Sequence, residues 1–96
     1  MILTPEQLQP LTGSDFAFEV AEGAPVTLRL DSVNEARSDQ GFRQFSLYFS
    51  GPLDAPLMQG TYLIRHPVLG EGPLFLVPTG RDAEQMCYEA ACSCQG

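Results

Sequence analysis

The chain has no lysine, no tryptophan and a single histidine, His66. Its five basic residues are all arginine (Arg29, Arg37, Arg43, Arg65 and Arg81), against twelve acids, for a net charge of −7. That balance excludes nucleic acid as a partner, because phosphate recognition needs a basic face. It excludes an anionic membrane surface for the same reason. No uncharged run exceeds ten residues, as in Gln44–Leu53 and Ala55–Ile64, so nothing reads as a membrane-spanning helix. Cysteine is absent until Cys87, after which Cys92 and Cys94 follow. A disulfide framework would spread an even number of cysteines along the chain, so these three read as free thiols. The N-terminus, Met1-Ile2-Leu3-Thr4-Pro5-Glu6, lacks a basic segment followed by a long apolar one. It does not read as a signal peptide, and the expected location is cytoplasmic.

With 96 residues the chain reads as one domain with a modest core. Glycines mark its rhythm: Gly13, Gly23, Gly41, Gly51, Gly60, Gly70/Gly72 and Gly80 fall mostly eight to ten residues apart. Turn residues at that spacing, separating short apolar runs, predict an all-β sandwich or barrel. The runs themselves alternate. Phe16, Phe18 and Val20 share one face, Val26, Leu28 and Leu30 another, and Phe45, Leu47 and Phe49 a third. Further strands are expected at Thr61–His66, Leu74–Val77 and Met86–Ala91. Asn34–Gly41 is polar and aperiodic and reads as an exposed loop. Arg81–Glu84 reads as a single helical turn. Thr4, Pro5 and Gln7 fit the N-cap, N1 and N3 positions of a short helix that Pro10 stops. Leu3, Leu8 and Leu11 would then plug one end of the β structure. The expected organisation is an N-terminal helical cap (1–12), a β domain of about six antiparallel strands (13–91) and a flexible tail (92–96).

Few residues invite chemistry. Any Ser/His/Asp or Cys/His arrangement must use His66, which sits in Arg65-His66-Pro67 at a strand end with no nucleophile elbow nearby in sequence. It reads as a turn histidine that hydrogen-bonds across a hairpin. Cys87, Cys92 and Cys94 with His66 would make four zinc ligands, but the spacing is wrong for the usual C-x2–4-C pairs. If the last strand continued, Cys92 and Cys94 would share a face and Cys87 would point away. The plainer expectation is a small buried Cys87 with thiols at 92 and 94 in a frayed end. Asp31, Glu35 and Asp39 are too sparse for a calcium loop. Gly70-Glu71-Gly72 precedes a strand, not a helix, so it is no phosphate loop. The phenylalanines, Phe75 included, read as core, and Gly60 as a positive-φ position before the fourth strand. No catalytic, cofactor-binding or metal-binding residue is expected.

Several segments together resemble a known family. They are Leu3-Thr4-Pro5-Glu6-Gln7-Leu8 with Leu11-Thr12-Gly13, Phe45-Ser46-Leu47-Tyr48-Phe49-Ser50-Gly51-Pro52, and Pro56-Leu57-Met58-Gln59-Gly60-Thr61-Tyr62. His66-Pro67, Leu69-Gly70, Leu74-Phe75-Leu76-Val77-Pro78 and Tyr88-Glu89-Ala90 complete the set. Over Leu3–Ala91 the chain is similar to a family of small bacterial domains of unknown function, about as long as itself. Members of that family often lie beside genes for phage-tail-collar-like proteins. The resemblance implies an accessory or assembly role and brings no catalytic residues with it. Cys92-Ser93-Cys94 departs from the family pattern.

The functional expectation is a non-enzymatic interaction module with a protein partner or self-association. The acids concentrate toward the N-terminus, seven against two arginines up to Gly41. Asp31, Glu35 and Asp39 would therefore suit a basic partner. The Gly51–Gly60 connection, with Leu53, Leu57 and Met58, is expected to fold back and cover one end of the core; strand edges and these three residues are further candidate contacts. The alternative is a small hydrophobic-ligand-binding barrel lined by Phe16, Phe45 and Phe75.

Overall fold

A computed structural model describes residues 3–36 and 41–95. The order is α1 (Pro5–Leu8), a 3-10 turn (Gln9–Leu11), β1 (Asp15–Phe18), β2 (Val26–Glu35), β3 (Phe42–Gly51), β4 (Gly60–His66), β5 (Gly70–Arg81) and β6 (Met86–Gln95). The six strands form a closed antiparallel barrel in the order β1–β2–β3–β6–β5–β4. Among the described residues no helix is long and apolar enough to cross a membrane.

The alternation seen in the sequence sets the inside of the barrel. Phe16, Phe18, Leu28, Leu30, Phe45, Leu47, Phe49, Ile64, Leu74, Leu76, Tyr88 and Ala90 form one buried cluster. Phe49 lies at its centre, with its ring edge-on to Phe16 at 5.4 Å and to Phe18 at 5.3 Å. Phe75 does not belong to it. It faces solvent on β5, as Phe42 does on β3. The inward positions of β5 are the even ones, Gly72, Leu74 and Leu76, which leaves Phe75 outside.

Two strands run further than their sequence suggests. In β2 the register against β3 shifts between Leu30 and Ser32, a bulge that adds one residue. Parity changes there, so Val33 returns to the interior and the strand continues to Glu35. The break in alternation at Asp31 conceals this, and Asn34 and Glu35, expected in a loop, are strand. The rest of that expected loop, Asp39 included, lies outside the described residues. β6 pairs with β3 without interruption from Met86↔Gly51 to Gln95↔Phe42. Residues 92–95, expected in a flexible tail, therefore complete a strand whose backbone partners come from β3, with Cys94 buried. β5 is also longer than Leu74–Val77. It pairs with β4 up to Leu76 and with β6 from Val77 onward. Pro73 and Pro78 each remove one donor without stopping the strand.

The connections show why the turns fall where they do. The β4–β5 hairpin closes at His66↔Gly70, where Gly70 has φ of +86°. Gly60, expected to need that freedom, has no positive φ. Gly51 is required for space instead, because a Cβ there would strike the Leu28 side chain. Asp82–Gln85 is an aspartate-capped turn and not the expected helical one. The Asp82 carboxylate accepts from the N–H groups of Glu84 (2.7 Å) and Gln85 (2.9 Å). At the N-terminus the capping box forms as the sequence predicts. Thr4 Oγ1 accepts from Gln7 N–H, and Gln7 Oε1 accepts from Thr4 N–H, both at 3.2 Å. The box aims Leu8 into the barrel end, where it is fully buried with Leu3 and Leu11 packed beside it. Burying such a leucine contributes about 1.5–3 kcal/mol.

Candidate functional site

The last turn of β4 brings His66 beside the chain entering β1, under a groove of about 570 Å3 open to solvent. Asp15, Phe16, Ala17, Thr27, Arg65 and Glu71 help to line it. His66 is 7 % exposed and lies over the Phe16 ring, with centroids 4.5 Å apart. Its Nε2 is 3.0 Å from Ser14 Oγ, 52 positions away in sequence. That distance would suit a serine nucleophile and its base. The remaining bonds decide against it. The N–H of Val68 donates to His66 Nδ1 at 3.0 Å, which places the imidazole proton on Nε2. Nε2–H then donates to Ser14 Oγ, and the Ser14 hydroxyl donates to the Leu11 carbonyl. A base must accept the serine proton, and this nitrogen already carries one. The chain of bonds ties the β4–β5 hairpin to the segment after the N-terminal helix, which is a structural role. The expected bond across the hairpin is replaced by one to Val68 in the turn and one to Ser14 outside it, and His66 is buried rather than a surface turn residue. Ser14 had no sequence signal, because only the closure of β1 against β4 brings it to His66.

Of the acidic residues expected as a partner surface, Asp31 and Glu35 are each paired with an arginine, and Asp39 lies outside the described residues. Asp31 pairs with Arg29 at 2.8 Å. Arg43 bridges Glu35 at 2.6 Å and holds Glu6 of α1 through both terminal nitrogens, Nη1 and Nη2. The hydrogen bond from Arg43 lowers the Glu6 carboxyl below its usual range, and Glu6 and Glu35 together raise Arg43. This cluster fastens α1 to the β2–β3 hairpin. With two carboxylates to one guanidinium, it keeps one net negative charge.

The connection after β3 divides in two. Leu57, expected as an exposed contact, is buried, and its N–H donates to Tyr88 Oη at 2.9 Å. It joins the buried core, so the loop folds back over the barrel as its apolar residues lead one to expect. Leu53 is half-buried. Met58 remains outside at 80 % exposure, its carbonyl accepting from Tyr62 Oη at 2.6 Å.

The thiols reverse one expectation. Cys92 and Cys94 do share a face with Cys87 pointing away, but that face is the interior. Cys94 is buried and Cys92 half-buried, whereas Cys87 is half-buried on the outside. Burial, reinforced by the neighbouring Cys94, pushes the Cys92 thiol up to about 11. Since the thiolate is the reactive form, iodoacetamide at mildly alkaline pH should label Cys87 first in the folded protein. Cys92 and Cys94 should react only after denaturation, as followed by peptide mass spectrometry. Labelling of Cys92 as fast as Cys87 would contradict this assignment. Among the described residues no three His, Cys, Asp or Glu side chains come together to hold a metal.

A second surface appears on the outer face of β4 and β5. Phe75 stands 47 % exposed and Leu63 39 %. Leu63 pairs across the strands with exposed Pro73, and Thr61 with Phe75, so the apolar groups are contiguous on one face. At one end of the strip Arg65 lies between Glu19 (3.3 Å) and Glu71 (3.2 Å). Sequence alternation alone could not find it, since an apolar residue on a strand reads equally well as core.

No curated protein and no solved structure matches the chain. One family model matches residues 3–92, nearly the whole barrel, and its description is a domain of unknown function, DUF6916. By that match the chain belongs to the DUF6916 family, whose fold is here a small six-stranded β-barrel capped by a short helix.

Proposed function

We propose that this domain is a non-enzymatic interaction module that docks a protein partner, as an accessory to a phage-tail-like or fibre assembly. The observation that carries the reading is the exposed apolar strip of Leu63, Pro73 and Phe75 on the outside of β4 and β5. Phe42, Met58 and Val68 are exposed as well, but Leu63 and Phe75 lie diagonally on paired strands with Pro73 between them in the same face. Its rim of Glu19, Arg65 and Glu71 carries one net negative charge, which suits a partner presenting an apolar side chain beside a basic one. The wiring of Ser14 and His66 favours a module without catalysis. The assembly context rests on the family resemblance.

Co-expression with the proteins encoded beside it tests this. A stoichiometric complex should survive purification with the wild-type chain and be lost with Phe75→Glu, whose circular dichroism stays that of the parent. Absence of any complex, or a complex indifferent to Phe75→Glu, would overturn the proposal. The runner-up, a hydrophobic-ligand barrel, has less support, because Phe16 and Phe45 are packed into the core and Phe75 is outside.

A further inference from the structure

β6 is paired on one side along its whole length but on the other only as far as Glu89. At Val77 the neighbouring strand β5 changes partner and follows β4. Ala90–Gln95 therefore present an edge with no strand beside it among the described residues. Alternate N–H and C=O groups of a strand edge point outward and accept an extended chain. Protein edges are ordinarily blunted by lysine, proline or inward charge. Ala90-Ala91-Cys92-Ser93-Cys94-Gln95 contains none of these, and Ala91 and Ser93 are exposed on its outer face.

We infer that this edge pairs with the β6 edge of a second copy, antiparallel about a two-fold axis, a surface separate from the strip on β4 and β5. Such an axis makes identical edges self-complementary. A continuous sheet also requires facing residues to share a side, so inward Cys92 and Cys94 must meet inward residues. That places the axis on a residue, and keeping the pairing within Ala90–Gln95 places it at Cys92 or Ser93. In either register the facing side chains within Ala90–Gln95 are uncharged. Glu89, the nearest charged residue on the strand, never falls opposite its own copy. The two β2–β3–β6 sheets then join into one of six strands. In both registers Ser93 lies directly opposite or diagonal to the Ser93 of the other copy, so a charge there meets its like.

Sedimentation equilibrium of the full chain under reducing conditions tests this. The wild-type should show twice the 10.5 kDa chain mass. Ser93→Lys and Ser93→Glu should each shift to a single chain mass with unchanged circular dichroism. An equal mixture of the two should return to the doubled mass. A wild-type that stays at single mass up to submillimolar concentration overturns the inference. So does a Ser93→Lys variant that remains double, or a mixture that fails to reassociate. None of these outcomes bears on Phe75, so failure here is distinct from failure of the partner surface.

Discussion

Replacing Phe49 with alanine is expected to lower stability by about 3–5 kcal/mol, the range for truncating a fully buried phenylalanine. The ring is 1 % exposed and meets Phe16 and Phe18 edge-on. Edge-to-face pairs of this kind contribute about 0.5–1.5 kcal/mol each beyond the area they bury. The cavity cannot collapse cheaply, because β3 is held in register by β2 on one side and β6 on the other. Domains of this size have about 5–15 kcal/mol in total, so the variant should sit near its unfolding midpoint at low denaturant. Urea titration followed by tyrosine fluorescence would show this, and Phe49→Leu should lose much less. A loss under about 1 kcal/mol for Phe49→Ala would mean that the core is not organised around this ring.

His66→Ala carries the second-largest expected effect, a loss of about 2–4 kcal/mol. It removes the ring from Phe16 and leaves the Val68 N–H and the Ser14 hydroxyl each short of a partner. Ser14→Ala should cost less, about 1 kcal/mol. The two changes should be non-additive, because both break the same bonded chain, with a coupling of about 0.5–3 kcal/mol in a double-mutant cycle. Additive losses would show that Ser14 and His66 act separately. An effect of His66→Ala below about 0.5 kcal/mol, typical of surface changes, would return it to the role of a turn residue.

Much of the fold was legible because three strands alternate cleanly. Phe16/Phe18, Leu28/Leu30 and Phe45/Leu47/Phe49 are the inner face of the barrel, and Thr4-Pro5-Glu6-Gln7 starts the helix that the sequence announces. The misreadings share a cause. Alternation reports a side chain's face only while register is unbroken, and the bulge after Leu30 shifts parity so that Val33 resembles the start of a loop. Small residues carry little hydrophobic signal, so Cys92–Cys94 resembled a fraying end although β3 supplies their backbone partners. Phe75 shows the remaining limit. It sits between Leu74 and Leu76, and composition cannot say which set of an apolar run faces inward. The groove was invisible for a different reason. Ser14 and His66 belong to strand ends that meet only when the barrel closes, and no local pattern encodes a contact across 52 positions.

That closure has a consequence of its own. β1 meets β4 through two residue pairs, Ala17↔Arg65 and Phe18↔Ile64, with one more bond from Glu19 N–H to the Leu63 carbonyl, whereas β3 and β6 share ten pairs. The barrel is thus a broad sheet bent round and fastened by a narrow latch. Separating the latch sacrifices the fewest paired residues of any strand seam in the barrel. The Ser14–His66 bond lies immediately beside those two pairs and works as the catch. An annulus that unlatches at one place, with its thickest wall opposite, opens like a cuff and keeps β3 and β6 together as the hinge.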